Sequence, residues 1–365
     1  MAIDTFKIPL YVRAAIVFIG LFAFTAMLYI AQRIIVPLIY ATIIAIVLSP
    51  LVDFWVRLKV NRVAAITISL ILVLLTSLLF LLLVSSQFSF FTASFPLLVD
   101  KFSDALNRAT TWASLQFNIS PQNINAFIAH TKVQILSAGT ASVGDTIASI
   151  GSSLVILVLI PVYVFMLLFY RPLLLDFIHR VSGEDNLKQV NDILFSTKTI
   201  IRRYLIALVL EAAIIATLNS VGLLIIGIDY AIMLGIAGAL LNVIPYIGGI
   251  IAFALPILVA LVTKSTPTAA LLVVAVYSLI QFIDNHYIIP KLVASKVRIN
   301  ALIAIIVVLV GGALWGIPGM FLSIPLTAIL KVICDHIDSL KPYGILLGDT
   351  MPTITVFKIK SSKKT

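Results

Sequence analysis

Glu211 is the main ionisable group set well inside an apolar run, Tyr204 to Ile228. A carboxyl placed there costs a few kcal/mol to insert, so such a group usually faces a bundle interior or a wet cavity. Two readings stand at even weight: a proton or cation site, or a packing carboxyl paired with an arginine or hydroxyl. Asn219, eight residues on, lies within the same half of the helix surface and reads as an interhelical hydrogen-bond partner. A second polar group, Gln281, Asp284 and Asn285, closes another apolar run. Its bland reading, side chains reaching the headgroup layer, is weighed against a substrate path. Asn242 stands beside Pro245, Gly248 and Gly249, where an unwound helix would offer carbonyls and half-helix ends to an ion or solute.

Other chemistry has little support. The histidines, His130, His179, His286 and His336, show no metal-ligand spacing, and neither an HExxH, a GxSxG nor a GxxxxGK pattern occurs. No catalytic residue, metal site or cofactor is therefore expected, and the chain is read as not an enzyme. The one cysteine, Cys334, excludes an internal disulfide. The net charge of +10 is scattered between apolar runs, which suits membrane topology better than nucleic acid.

The elements that must position these residues follow from composition. Hydrophobic residues make up 61% and charged residues 11% of 365, against about 45–50% and 25% in soluble domains. The fold class is an all-α integral membrane protein. Ala14–Ala31, Ile34–Val52, Val63–Val84, Ser152–Tyr170 (bent at Pro161), Tyr204–Ile228 and Ser265–Ile283 read as six full spans. Residues 1–84 form an N-terminal set of membrane helices. Residues 85–149 form an extracytoplasmic insert with Leu98, Phe102, Ala105, Ala109 and Trp112 on one helical face and a further helix opening at Ser120-Pro121. Residues 150–340 form the membrane core, and 341–365 a basic tail. Within the core, Ser182 and Asp185 resemble a capping box opening an interfacial helix over 182–203.

Two further blocks, Ala231–Thr263 and Asn300–Ile333, run to 33 and 34 residues, whereas a span needs about 20. Each carries helix breakers at its centre: Asn242, Pro245, Gly248 and Gly249 in the first, Gly311, Gly312, Gly316, Pro318 and Gly319 in the second. Proline removes an amide donor and paired glycines resist unwinding least. The expectation is two re-entrant hairpins that together gate a path, with full crossing, giving eight spans, as the competing reading. Gly312 and Gly316 also fit GxxxG, which reads as close helix packing. Placing the head, residues 53–62 and the six basic residues of 171–203 in the cytoplasm puts the loop around Lys291–Arg298 and the tail inside too, provided both blocks re-enter. Both termini are then cytoplasmic.

At NVIPYIGG (Asn242–Gly249), QFIDNHYIIPKL (Gln281–Leu292) and GGALWGIPGMFLSIPL (Gly311–Leu326) the chain resembles the autoinducer-2 exporter family of permeases, over roughly residues 10–340. The resemblance implies a multi-pass carrier of the bacterial inner membrane, exporting an autoinducer-2-like signal molecule or exchanging cations for protons. It brings Gln281, Asp284, Asn285 and Pro290 into one motif, with Asp284 where glutamate is common in the family. On this reading the partners are a small-molecule or cation substrate and the lipid bilayer, with assembly into a homo-oligomer left open. The reading from a different class is a non-transporting membrane scaffold that binds partners through the 85–149 insert.

Overall fold

The computed structural model describes residues 9–85, 100, 104, 158–244, 247–264, 267–294 and 299–349. The expected 85–149 insert, except residues 85, 100 and 104, Pro245 and the tail beyond residue 349 fall outside these residues; the start of the expected tail, 341–349, is described and carries a helix. Eleven helices are described: α1 (Leu10–Ile30), α2 (Gln32–Arg57), α3 (Arg62–Ser85), α4 (Val158–Phe169), α5 (Arg171–Ser182), α6 (Leu187–Ile226), α7 (Ala231–Asn242), α8 (Ile247–Thr263), α9 (Pro267–Ile283), α10 (Ala301–His336) and α11 (Lys341–Leu347). Among the described residues, strand pairing is limited to one isolated bridge, Ile299 with Gly348. Six helical stretches are long and apolar enough to cross a membrane, or seven if the bent pair α4–α5 is one span. The chain is an all-α polytopic membrane protein.

The outer helices are apolar on every side. Phe18 and Phe22 on α1, and Leu75, Leu79 and Leu83 on α3, are exposed, as expected of surfaces that meet lipid rather than water. Gly20 in α1 has nothing near the place a Cβ would take. Gly20→Ala should therefore raise stability by about 0.5–1 kcal/mol through helix propensity alone. A thermal melt in detergent checks this, and a lower midpoint would mean that α1 is packed in solution.

α6 is the axis. It was expected as an interfacial helix followed by a span, but it is continuous for 40 residues, about 60 Å. The reason is local: the segment carries no proline, and its polar first half is as able to form helix as its apolar second half. The expected capping box is absent as well. The Ser182 hydroxyl donates back to Ile178 O at 2.8 Å, and Gly183 at φ 75° makes the turn. The first residues of the expected fourth span, before Val158, lie outside the described residues; the described helix turns by 64° into α5 at Tyr170, where Pro172 lies within the first turn of α5.

Both long blocks fold back on themselves. In the first, α7 ends at Asn242 and α8 starts at Ile247. A Cβ on Gly238 would lie 3.6 Å from that of Ala252, and Asp229 and Lys264 at the two feet approach to 3.7 Å. The second block is broken at Gly316, whose φ 65° and ψ −146° are not helical. Its arms cross at Gly311 and Gly319, where a Cβ on either would lie within 2.5 Å of the other's carbonyl oxygen. Its first foot is tied to α11, which follows its second arm, by Asn300 N–H donating to Leu347 O at 2.9 Å. The GxxxG expectation is corrected here: Gly316 is the exposed pivot with nothing within 4 Å, and Gly311 and Gly319 make the close approach. Only a residue without a Cβ fits positions where two backbones touch.

The hairpins pack on opposite ends of α6. Leu322 and Ile201 join Ile43 of α2 in one buried cluster with Leu205, Trp315 and Phe321 around it. The Tyr40 hydroxyl donates to Pro318 O at 3.2 Å, and the Trp315 indole to Leu28 O at 3.1 Å. At the other end, Leu223 packs with Ala231, Leu234, Val259 and Tyr277. The feet of the second hairpin lie by the start of α6, where the Gln189 amide donates to His336 O.

Candidate functional site

α7 runs antiparallel to α6, and its register can be read from contacts. Gly235 lies against Ser220, Gly238 against Asn219, and Ala239 packs with Ile215. Continuing that register to the end of α7 sets Asn242 opposite residues 212–215, the turn next to Glu211. There the Asn242 amide donates to Asp284 Oδ2 at 3.1 Å. Asp284 is 0% exposed, so the headgroup reading of this residue is overturned.

Asp284 shares the inward face of the helix with Tyr277 and Gln281, and the helix type changes just beyond Ile283. α9 does not stop in a polar turn at residue 283 but continues as π-helical segments, Asp284–Ile288 and Pro290–Ala294. A π turn widens the helix and rotates the residues beyond it, and such turns concentrate at functional sites. Pro290 cannot supply an amide to an inner turn, which suits this irregular stretch.

Asn219 is buried, as is Glu211, which is 8% exposed. No arginine or hydroxyl partner for Glu211 is found among the described residues, while Asp284 and Tyr204 lie within its electrostatic reach. Among the described residues, three buried polar atoms of this region have no protein partner: Asn219 Oδ1, Asp284 Oδ1 and the Tyr277 hydroxyl. Asn219, Asn242, Gly249, Tyr277 and Gln281 line a cavity of about 10 Å³, room for a single water molecule. Buried polar atoms are nearly always satisfied, so this cluster fits a hydrated or ligand-completed site. Asn242→Ala would strip Asp284 of its amide donor and should cost about 1–3 kcal/mol. A melt showing no loss would place the two side chains apart.

The structure thus brings together Glu211, Asn219, Asn242, Gly249, Gln281 and Asp284. Gly248 is adjacent, serving the turn rather than the cavity: a Cβ there would run into Leu241 O. Asn285 and Pro290 are exposed. Gly311, Gly312, Gly316 and Gly319 belong to the second hairpin, where Gly312 meets Met320. Two contributors were missed in the sequence. Tyr277 precedes Gln281 by four residues and Asp284 by seven, one helical face that was legible from spacing alone. Gly238, between Asn219 and Tyr277, shows no local signal because its role is the close approach of two helices.

Two carboxyl groups within reach of each other and shielded from water repel unless a proton or cation offsets one charge. Such a pair can take up or release a positive charge as its hydration changes.

A family model described as AI-2E family transporter matches residues 18–339. YhhT of Escherichia coli strain K12 is 26% identical over 333 residues, covering 88% of this chain and 90% of its own. The AI-2 transport protein TqsA of the same strain is 26% identical over 325 residues, 87% and 90% of the two chains. PerM, also of that strain, is 27% identical over 213 residues, 58% and 60%.

Proposed function

We propose, from the premise that this chain belongs to the AI-2E transporter family, that it is a secondary carrier of a small hydrophilic solute or cation with Glu211 and Asp284 as its charge-exchanging pair. The observation that carries this reading is Asp284, wholly buried, held by Asn242 through one oxygen and unpartnered at the other. In a membrane core an idle carboxylate in that state would be costly.

The two hairpins supply the moving parts. α7 has 12 residues, about 18 Å, well short of a hydrocarbon layer of about 30 Å. Each hairpin has both feet at one end of α6, and the two tips approach the middle of α6 from opposite ends. With the basic segments 53–62 and 171–203 in the cytoplasm of a bacterial inner membrane, the 300–333 hairpin enters from the cytoplasm and the 231–263 hairpin from outside. Opening one tip and then the other would expose the carboxyl pair to each side in turn, as in carriers built on broken helices. The solute class is that in the name of TqsA, a small polar signal molecule, or an alkali cation exchanged for protons.

Purified protein in proteoliposomes tests the reading. Uptake or release of autoinducer-2 or of sodium should exceed that of empty vesicles, and Glu211→Gln should lower it while the protein still inserts and elutes as one species. Flux equal to empty vesicles for both solutes would favour the scaffold reading, and normal flux and pH dependence in the variant would remove Glu211 from the exchange.

A further inference from the structure

A second cavity lies far from the carboxyl pair, at the end of α2 where the chain enters α3. It measures about 310 Å³ and is lined by Ser49, Asp53 and Arg62 on one side and by Leu168, Arg171 and Pro172 on the other. Arg62 opens α3 and Arg171 opens α5, so each guanidinium stands at the first turn of a helix. Arg62 is partly buried and donates one N–H to Leu168 O at 2.8 Å. Arg171 is 3.7 Å from Asp53, both of them partly exposed. Lys198 lies within electrostatic reach of Asp53, Arg171 and Arg202. The lining carries two guanidinium groups against one carboxylate, with a further ammonium behind them.

We propose that this cavity binds a phosphate anion, carried by a membrane phospholipid or free in solution. A guanidinium has five N–H donors in a planar fork that fits phosphate oxygens. Arg62 spends one donor on Leu168, and among the described residues Arg171 is held by a loose, solvent-accessible ion pair. Basic pockets between membrane helices on the cytoplasmic side suit anionic headgroups. Leu173, Leu174 and Phe177 of α5 are exposed beside the mouth, an apolar surface along which an acyl chain could lie. Asp53 is then the internal competitor for Arg171, so the site carries its own counter-charge when empty.

The test uses the full chain in neutral detergent and reads its thermal midpoint during titration with phosphatidylglycerol, with inorganic phosphate, and with diacylglycerol that lacks the phosphate. A rise with phosphatidylglycerol alone assigns a lipid, and a rise with inorganic phosphate as well assigns the free anion. No rise with either, or an equal rise with diacylglycerol, overturns the proposal. Arg171→Gln should weaken the apparent affinity about tenfold, and Arg171→Lys, which keeps the charge but not the fork, by less. Because a glutamine variant can fail for structural reasons, Asp53→Asn decides independently: freeing Arg171 should tighten binding severalfold. Unchanged or weaker binding in Asp53→Asn would sink it.

Discussion

Flux through the reconstituted protein is expected to fall at least about tenfold when Asp284 is replaced by asparagine, with little change in stability. The substitution keeps shape and keeps an oxygen that can accept the Asn242 amide, so the contact between the first hairpin and the end of α9 survives. What goes is the charge. If Asp284 and Glu211 exchange a positive charge between two faces of the membrane, a neutral amide at 284 cannot take part, and the pH dependence of flux should flatten as well. Thermal midpoint and flux are to be measured on the same preparation. Retained flux with normal pH dependence would show that Asp284 is buried for packing, and the assignment of the site would fall with it. Asn242→Ala provides the contrast, because there the charge stays and its partner is lost.

The second large effect concerns neighbouring glycines with unequal surroundings. A Cβ on Gly248 would sit 1.6 Å from Leu241 O and 2.4 Å from its carbonyl carbon, both backbone atoms that cannot step aside. Gly248→Ala should therefore cost about 3 kcal/mol or more by forcing the arms of the first hairpin apart. At Gly249 the nearest atom is Asn242 Oδ1 at 3.3 Å, the end of a side chain that can shift. Gly249→Ala should cost well under about 1.5 kcal/mol, while disturbing the amide that holds Asp284. Elution profile and melting of the two variants separate them: the first should lose its folded species and the second keep it. Equal melting would mean that the tip of the hairpin is looser than these distances require.

Several features could be read from residue types because local backbone chemistry fixes them. The Asn242–Gly249 stretch and the glycines around Pro318 announce that two apolar blocks cannot continue as helix; the first breaks between Asn242 and Ile247, just ahead of its glycine pair, and the second at Gly316. Apolar length alone marked most of the spans, and the absence of charge marked α3 most clearly. Glu211 and Asp284 stood out because ionisable groups are rare in such surroundings. None of that required knowing which segments touch.

Contact between distant segments decided the rest. The glycine pattern could not say that Gly316 is the pivot while Gly311 and Gly319 carry the crossing, since both roles use the same residue and differ only in what lies opposite. The polar start of α6 reads as a surface helix by composition, yet continuity depends on the absence of a breaker, and the helix runs straight on. The burial of Asp284 depends on what its helix face meets, and its pairing with Asn242 links positions 42 residues apart. Sequence alone therefore determined that this is a helical membrane protein with two interrupted blocks and two carboxyl groups out of place. The tertiary structure alone decided that one hairpin tip meets those carboxyls halfway along α6, because the side on which a helix buries its polar residues is set by its neighbours.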